Sequence, residues 1–377
     1  MPLTQIISAI KTGIGTLLGD LSILLVVGAV LGNIIATTGA AASLTQMLVR
    51  FFGEKKLPWA LLFTGLLVGI PLFYNVGFVI LVPLAFALAK KTGLQPLYLA
   101  LPMLAALSVT HGFLPPHPSP TAIATQLGAS TADVLKYGML IAFPAVFAAG
   151  PLFSKQFKNW KTILPPTYQQ LNAVSKTPNS WISLLCTLLP AVLLAILPMP
   201  AEIALFASLV VALLLLWLPS YKEQEQLSTT FSEAIKTIAP ILFIIAGAGA
   251  LKQILIETGA SNAIGKMMLQ WKLPPLVLAW MVTAAIRVCI GSATVAALTA
   301  AGLLNSMIIT SNVSPTLMVL SIGAGSLFCS HVNDSGFWMY KEYFNLSVKQ
   351  TLLSWTVMES IVSLVGLLGV LVLNTII

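Results

Sequence analysis

Four stretches of this 377-residue chain contain no Asp, Glu, Lys or Arg: 21–49, 57–89, 92–132 and 288–333. One spanning helix needs about 20 apolar residues. At 41 and 46 residues, the two longest stretches are too long for one pass. Each must hold two passes, or a hairpin that enters and leaves on one side. Lipid offers the backbone no hydrogen-bond partners, so only helices and closed barrels can span it, and the ~10-residue alternation of a barrel strand is absent. Charged residues make up 8% of the chain against about a quarter of a soluble domain. That deficit excludes a soluble enzyme, a disordered regulator and a nucleic-acid binder. The net charge of +8 forms no basic stripe; its cations sit between apolar spans, as membrane topology requires. The expected fold is an all-α polytopic membrane protein with roughly 10 membrane segments.

Cys186, Cys289 and Cys329 are odd in number, far apart and set in apolar runs, which reads as small buried hydrophobes without a disulfide or metal spacing. Lys11, the apolar run 21–35 and the small residues at 39–42 imitate a signal peptide. An internal repeat places that segment inside the fold, so no cleavage is expected.

The repeat has a constant offset. Thr38, Gly39, Ala40 and Met47 recur as Thr258, Gly259, Ala260 and Met267, and His111 recurs as His331. Leu57-Pro58 recurs as Leu273-Pro274 after a short deletion. The expected organisation is a first repeat over 1–153, a cytoplasmic linker over 154–180, and a second repeat over 181–377. The linker carries Lys155, Lys158, Lys161, Lys176 and Pro165-Pro166 but no acid, and the polar loop 219–237 is placed on the same side. The second repeat includes an extra hairpin, 181–218, turning at Pro198-Met-Pro200. The first has no counterpart to it, so an N-terminal hairpin is expected to be missing.

Transporters are often built from inverted copies whose discontinuous helices meet around the substrate at mid-membrane. Two matched pairs of interruptions occur here: 69–78 with 287–296, and 110–122 with 330–338. Pro71, Gly77 and Asn75 mark the first interruption, and Gly291, Ser292 and Thr294 its partner. Pro115, Pro116, Pro118 and Pro120 cannot continue a helix, and all three histidines, His111, His117 and His331, fall within the second pair. A kink used only for helix packing is the simpler reading of each break, but packing alone does not call for Asn or Ser-Ala-Thr. Arg287, Asp334 and Glu359 lie in or beside apolar stretches, where each costs about 2.5–3.5 kcal/mol on insertion scales. They must face a cavity, bind something, or pair with each other, as Arg287 and Asp334 can.

These residue types suit an anionic, hydroxyl-bearing substrate. Half-helix N-termini and Arg287 suit a carboxylate. Asn75, Thr110, His111, Ser119, Thr121, Ser292, Thr294, Ser330, Asn333 and Ser335 supply groups for a polyhydroxy chain. Asp334, His331 and Glu359, in that order, are the candidates for proton coupling. A metalloenzyme built on the histidines is disfavoured by the lack of HExxH or zinc spacing. No metal or cofactor is expected.

The segments HGFLPPHPSPTAIA (111–124), GSATVAALTAAG (291–302), SHVNDSGFWMYKEYF (330–344) and LSWTVMESIVSLVGL (353–367) resemble the gluconate permease family, also called gluconate:proton symporters. The resemblance extends over nearly the whole chain. It implies a multi-pass inner-membrane carrier importing gluconate or a related sugar acid with protons, built of two inverted repeats with re-entrant hairpins. Its partners would be the sugar acid, protons and the lipid bilayer, with a homo-oligomer left open. Alternatives are a symporter of another small carboxylate such as D-serine, or a transport-inactive sensor or assembly partner. Asn75 departs from the acid that relatives carry in FFEVGF or FFDVGF, and Ser119 stands where HPGPT has glycine.

Overall fold

The computed structural model describes residues 2–162, 177–197, 199–220, 224–260, 263, 273–311 and 313–377. Most of the linker, with Pro165-Pro166 and Lys176, lies outside the described residues, as do Pro198, Met267 and residues 221–223; from residue 224 onward the expected 219–237 loop is helical instead. Every regular element among the described residues is helical. The first seven are α1 (Leu3–Thr37), α2 (Ala40–Phe52), α3 (Leu57–Gly69), α4 (Tyr74–Thr92), α5 (Pro96–Phe113), α6 (Pro118–Leu127) and α7 (Thr131–Phe147). A hairpin of α8 (Ser180–Ile196) and α9 (Ala201–Ala212) follows. The remainder are α10 (Gln224–Glu257), α11 (Pro275–Ile290), α12 (Ala293–Ser311), α13 (Pro315–Ser326), α14 (Ser335–Tyr343) and α15 (Val348–Leu373). Among the described residues, six helical stretches are long and apolar enough to cross a bilayer.

Proline positions explain several boundaries. α3, α5, α11 and α13 carry Pro in their first turn, where the missing N–H would have had no partner anyway. The α3–α4 pair enters and leaves at one end of the molecule, because Lys91 Nζ at the close of α4 lies 3.7 Å from Glu54 Oε1 just before α3. It is therefore a re-entrant hairpin, with its tip at residues 70–73. α5 and α6 instead form one interrupted span over Pro96–Leu127. α5 and α13 are apolar on all sides and buried along almost their whole length, which marks them as the centre of the bundle. The α8–α9 hairpin leaves Trp181, Ile203 and Phe206 exposed, as expected of a lipid-facing layer.

α1 and α10 are the two longest helices among the described residues, and they run antiparallel. Gly13 packs directly on the Gly249 backbone, where a side chain on either would collide with the other's carbonyl. Near the opposite end Asn33 Nδ2 donates to the Thr230 carbonyl at 2.7 Å. Small residues at such a crossing let two backbones approach, which is how helices gain packing energy in lipid.

Candidate functional site

All four expected interruptions are present: residues 70–73 between α3 and α4, 114–117 between α5 and α6, 291–292 between α11 and α12, and 327–334 between α13 and α14. They converge. A cavity of about 330 Å³ is lined by Phe73, Tyr74 and Asn75 of the first, His117 and Pro118 of the second, Gly291–Thr294 of the third, and Leu327 and Asp334–Gly336 of the fourth. Arg287, Ser108, His111, Trp355 and Glu359 close the walls, and Thr237, Pro240, Ile241 and Ile244 of α10 line another side. The volume is in the range of small-molecule sites.

The chain direction at these breaks sets the electrostatics. α4, α6, α12 and α14 all begin at the cavity, so four helix N-termini face one space. Each brings unsatisfied N–H groups and the positive end of a dipole. α6 contributes least, because Pro118 and Pro120 in its first turn have no N–H. α14 is partly spent on its own cap, where Gly336 N–H donates to Asp334 Oδ1 at 2.9 Å. α4 has no side-chain cap. It is the most open anion-binding end.

Arg287 is 3% exposed and pairs with Asp334. Asp334 also accepts from the Ser330 hydroxyl and the Gly336 N–H. Ser330 is held in turn by the Trp355 indole N–H at 2.7 Å, while the Thr356 hydroxyl donates to its carbonyl. This network fixes the carboxylate but uses only one edge of the guanidinium. Arg287 Nε and Nη1 are buried with no hydrogen-bond partner among the described residues. Donors left in that state cost about 1–3 kcal/mol each, more when charged, so the arrangement calls for an anion. Glu359 is 3% exposed and bonds the Ser108 hydroxyl; among the described residues no cation lies within ion-pair distance of its carboxyl. His111 and His117 meet edge to face at 4.5 Å between ring centres, and Tyr74 packs against His111 and Trp355.

Gly291 sets how closely the third and fourth breaks approach. Its φ is +84°, and a Cβ there would fall well inside van der Waals contact with the Asn333 carbonyl. Asn333 Nδ2 holds the junction by donating to the Val288 carbonyl at 2.8 Å. Gly291→Ala should therefore cost at least about 1–2 kcal/mol for the left-handed conformation alone. The expected result is a lower thermal unfolding midpoint together with lost transport. An unchanged midpoint would show that the junction relaxes freely.

The sequence model described as the GntP family permease matches residues 1–202 and 197–376. The chain belongs to this family. The permease is 43% identical to the Gnt-II system L-idonate transporter of Escherichia coli, an alignment covering 100% of this chain and 90% of that protein. It is 41% identical to a high-affinity gluconate transporter of E. coli, covering 100% and 91%, and 38% identical to the gluconate permease of Bacillus subtilis, covering 100% and 91%. Among solved structures, the YdaH transporter of Alcanivorax borkumensis matches with a TM-score of 0.67 at 18% identity, over 97% of this chain and 87% of that one. MtrF of Neisseria gonorrhoeae matches with a TM-score of 0.66 at 18% identity, over 99% and 83%. Family and fold together make this a multi-pass transporter of the inner membrane and not an enzyme.

Of the residues singled out in the sequence, Asn75, His111, His117, Arg287, Gly291, Ser292, Thr294, Ser335, Asp334 and Glu359 line the permease cavity. The others lie off it, each for a local reason. The Thr110 and Thr121 hydroxyls turn back to the carbonyls of Leu107 and His117. Ser119 is buried behind the wall. Ser330 stands behind Asp334, and Asn333 is spent on Val288. The His331 ring engages the Cys329 carbonyl at 3.0 Å, away from the cavity and from the other two histidines. Tyr74, Ser108, Thr237 and Trp355 were not anticipated. Their residue types are ordinary in helix interiors, and no sequence signal separates them from core.

Proposed function

We propose that this permease imports gluconate or a closely related sugar acid together with protons. The single observation that carries the reading is the Arg287 guanidinium, with two buried free donors, in a cavity onto which four helix N-termini open. Arg287 and the α4 and α12 N-termini hold the carboxylate. Asn75, Ser292, Thr294 and Thr237 pair with the hydroxyl chain, and an analogue lacking a hydroxyl leaves buried partners unsatisfied. The names of the relatives, which are idonate and gluconate transporters, support this substrate class. The antiparallel packing of α1 on α10 supports two inverted copies, 1–153 and 181–377.

Glu359 is the better proton carrier. Asp334 is committed to Arg287, Ser330 and a backbone N–H, so protonating it would dismantle the Arg287 clamp. His331 lies outside the cavity. Glu359 lines it with one neutral hydroxyl partner, Ser108, among the described residues, so gaining or losing a proton there breaks no ion pair among them. A charged carboxyl so placed carries a desolvation cost that protonation removes.

Proteoliposomes containing the permease should accumulate labelled gluconate under an inward proton gradient, and unlabelled idonate should compete. Accumulation indifferent to the gradient would remove the coupling. Competition by D-serine but not by aldonates would reassign the substrate to a hydroxy amino acid.

A further inference from the structure

A second cleft, of about 150 Å³, opens at the end of the molecule where α3 begins and α7 leaves. Lys55, Lys56 and Lys155 line it together with Trp59, Tyr98 and Phe147. Lys158 adds a fourth ammonium, 5.3 Å above the Tyr98 ring centre. None of these lysines has an ion-pair partner among the described residues; Glu54, the nearby acid, faces Lys91 instead. Four like charges around one concave wall repel one another, so the cleft favours an anionic occupant.

The surroundings say which kind of anion. Trp and Tyr concentrate at head-group depth in membrane proteins, and Trp59 and Tyr98 form one wall. Phe147 and Leu152, about half exposed, continue the lining on the lipid-facing side. A small soluble anion would have no use for that apolar strip, whereas acyl chains would cover it. The cationic excess at this end also marks it as cytoplasmic, and basic pockets between helices on that face are suited to acidic head groups. We propose that the cleft binds the head group of an anionic phospholipid, its phosphate among the three lysines and its chains along Phe147 and Leu152. This site is separate from the transport cavity, with which it shares no residue.

Native mass spectrometry of detergent-purified permease tests this with three additives: phosphatidylglycerol, phosphatidylcholine and inorganic phosphate. The expected result is a phosphatidylglycerol adduct that survives where phosphatidylcholine is lost. Retention should fall roughly tenfold or more in K55Q/K56Q/K155Q and persist in K55R/K56R/K155R. Equal retention in the Gln variant would overturn the proposal. So would inorganic phosphate displacing the lipid at equal concentration, which would make the cleft a simple anion site. If the Gln variant fails to fold, the wild type in vesicles still decides. Phosphatidylglycerol with brominated chains should quench its fluorescence more than brominated phosphatidylcholine does, and Trp59→Phe should remove that difference. Equal quenching by the two lipids would refute it.

Discussion

Arg287→Gln should abolish saturable gluconate uptake, with apparent affinity falling roughly 10²–10⁴-fold if two charge-assisted hydrogen bonds of about 1.5–3 kcal/mol each are lost. The single substitution also strands Asp334, and an ion-pair member buried without its partner costs about 3–5 kcal/mol. Low expression of that variant would therefore say nothing about substrate. The double variant R287Q/D334N removes both charges, and it is expected to recover folding, read as detergent-resistant monodispersity and thermal midpoint, without recovering uptake. A purely structural pair would behave otherwise, because the neutral double variant would regain transport along with stability. Asp334→Asn alone should lose accumulation and exchange together, since both need the positioned guanidinium.

Glu359→Gln should separate two activities that Asp334→Asn loses together. Glutamine resembles the protonated carboxyl in shape and keeps a group for Ser108, so the cavity should survive. Gradient-driven accumulation should disappear, while exchange of labelled for unlabelled gluconate across the same vesicles persists within a fewfold of wild type. Accumulation driven by a proton gradient must cycle a proton on and off some group, and exchange of bound substrate need not. Loss of both would make Glu359 a binding or folding residue. Retention of both would move the proton elsewhere, His111 being the next titratable group in the wall.

The features legible in the sequence were those with an energetic signature in lipid. Pro115, Pro116, Pro118 and Pro120 cannot continue a helix, and Gly291 with Ser292 and Thr294 is out of place in a 46-residue charge-free stretch; the breaks at 114–117 and 291–292 fall where those residues put them. Arg287, Asp334 and Glu359 announced themselves by the cost of burial. Facing was not legible. Thr110 and Thr294 are equally polar, yet one bonds its own helix and the other lines the cavity, a difference set by how α5 and α12 are rotated against their neighbours. Nor could spacing show that Asn333 serves as a bracket on Val288, because the partner lies 45 positions away and meets it only through the bend at Gly291. The proposed preference for Glu359 as proton carrier has a related origin. In the sequence Asp334 ranks ahead of His331 and Glu359; the packing of Ser330, Trp355 and Gly336 around Asp334, on which the proposed preference for Glu359 rests, is not visible there.

A structure of the permease determined with bound gluconate tests the central claim most directly. The carboxylate is expected against Arg287 Nε and Nη1, between the starts of α4 and α12, with the hydroxyl chain running toward Asn75 and Thr237. Gluconate seated outside the space enclosed by the four interruptions, with those two guanidinium nitrogens still unengaged, would contradict it.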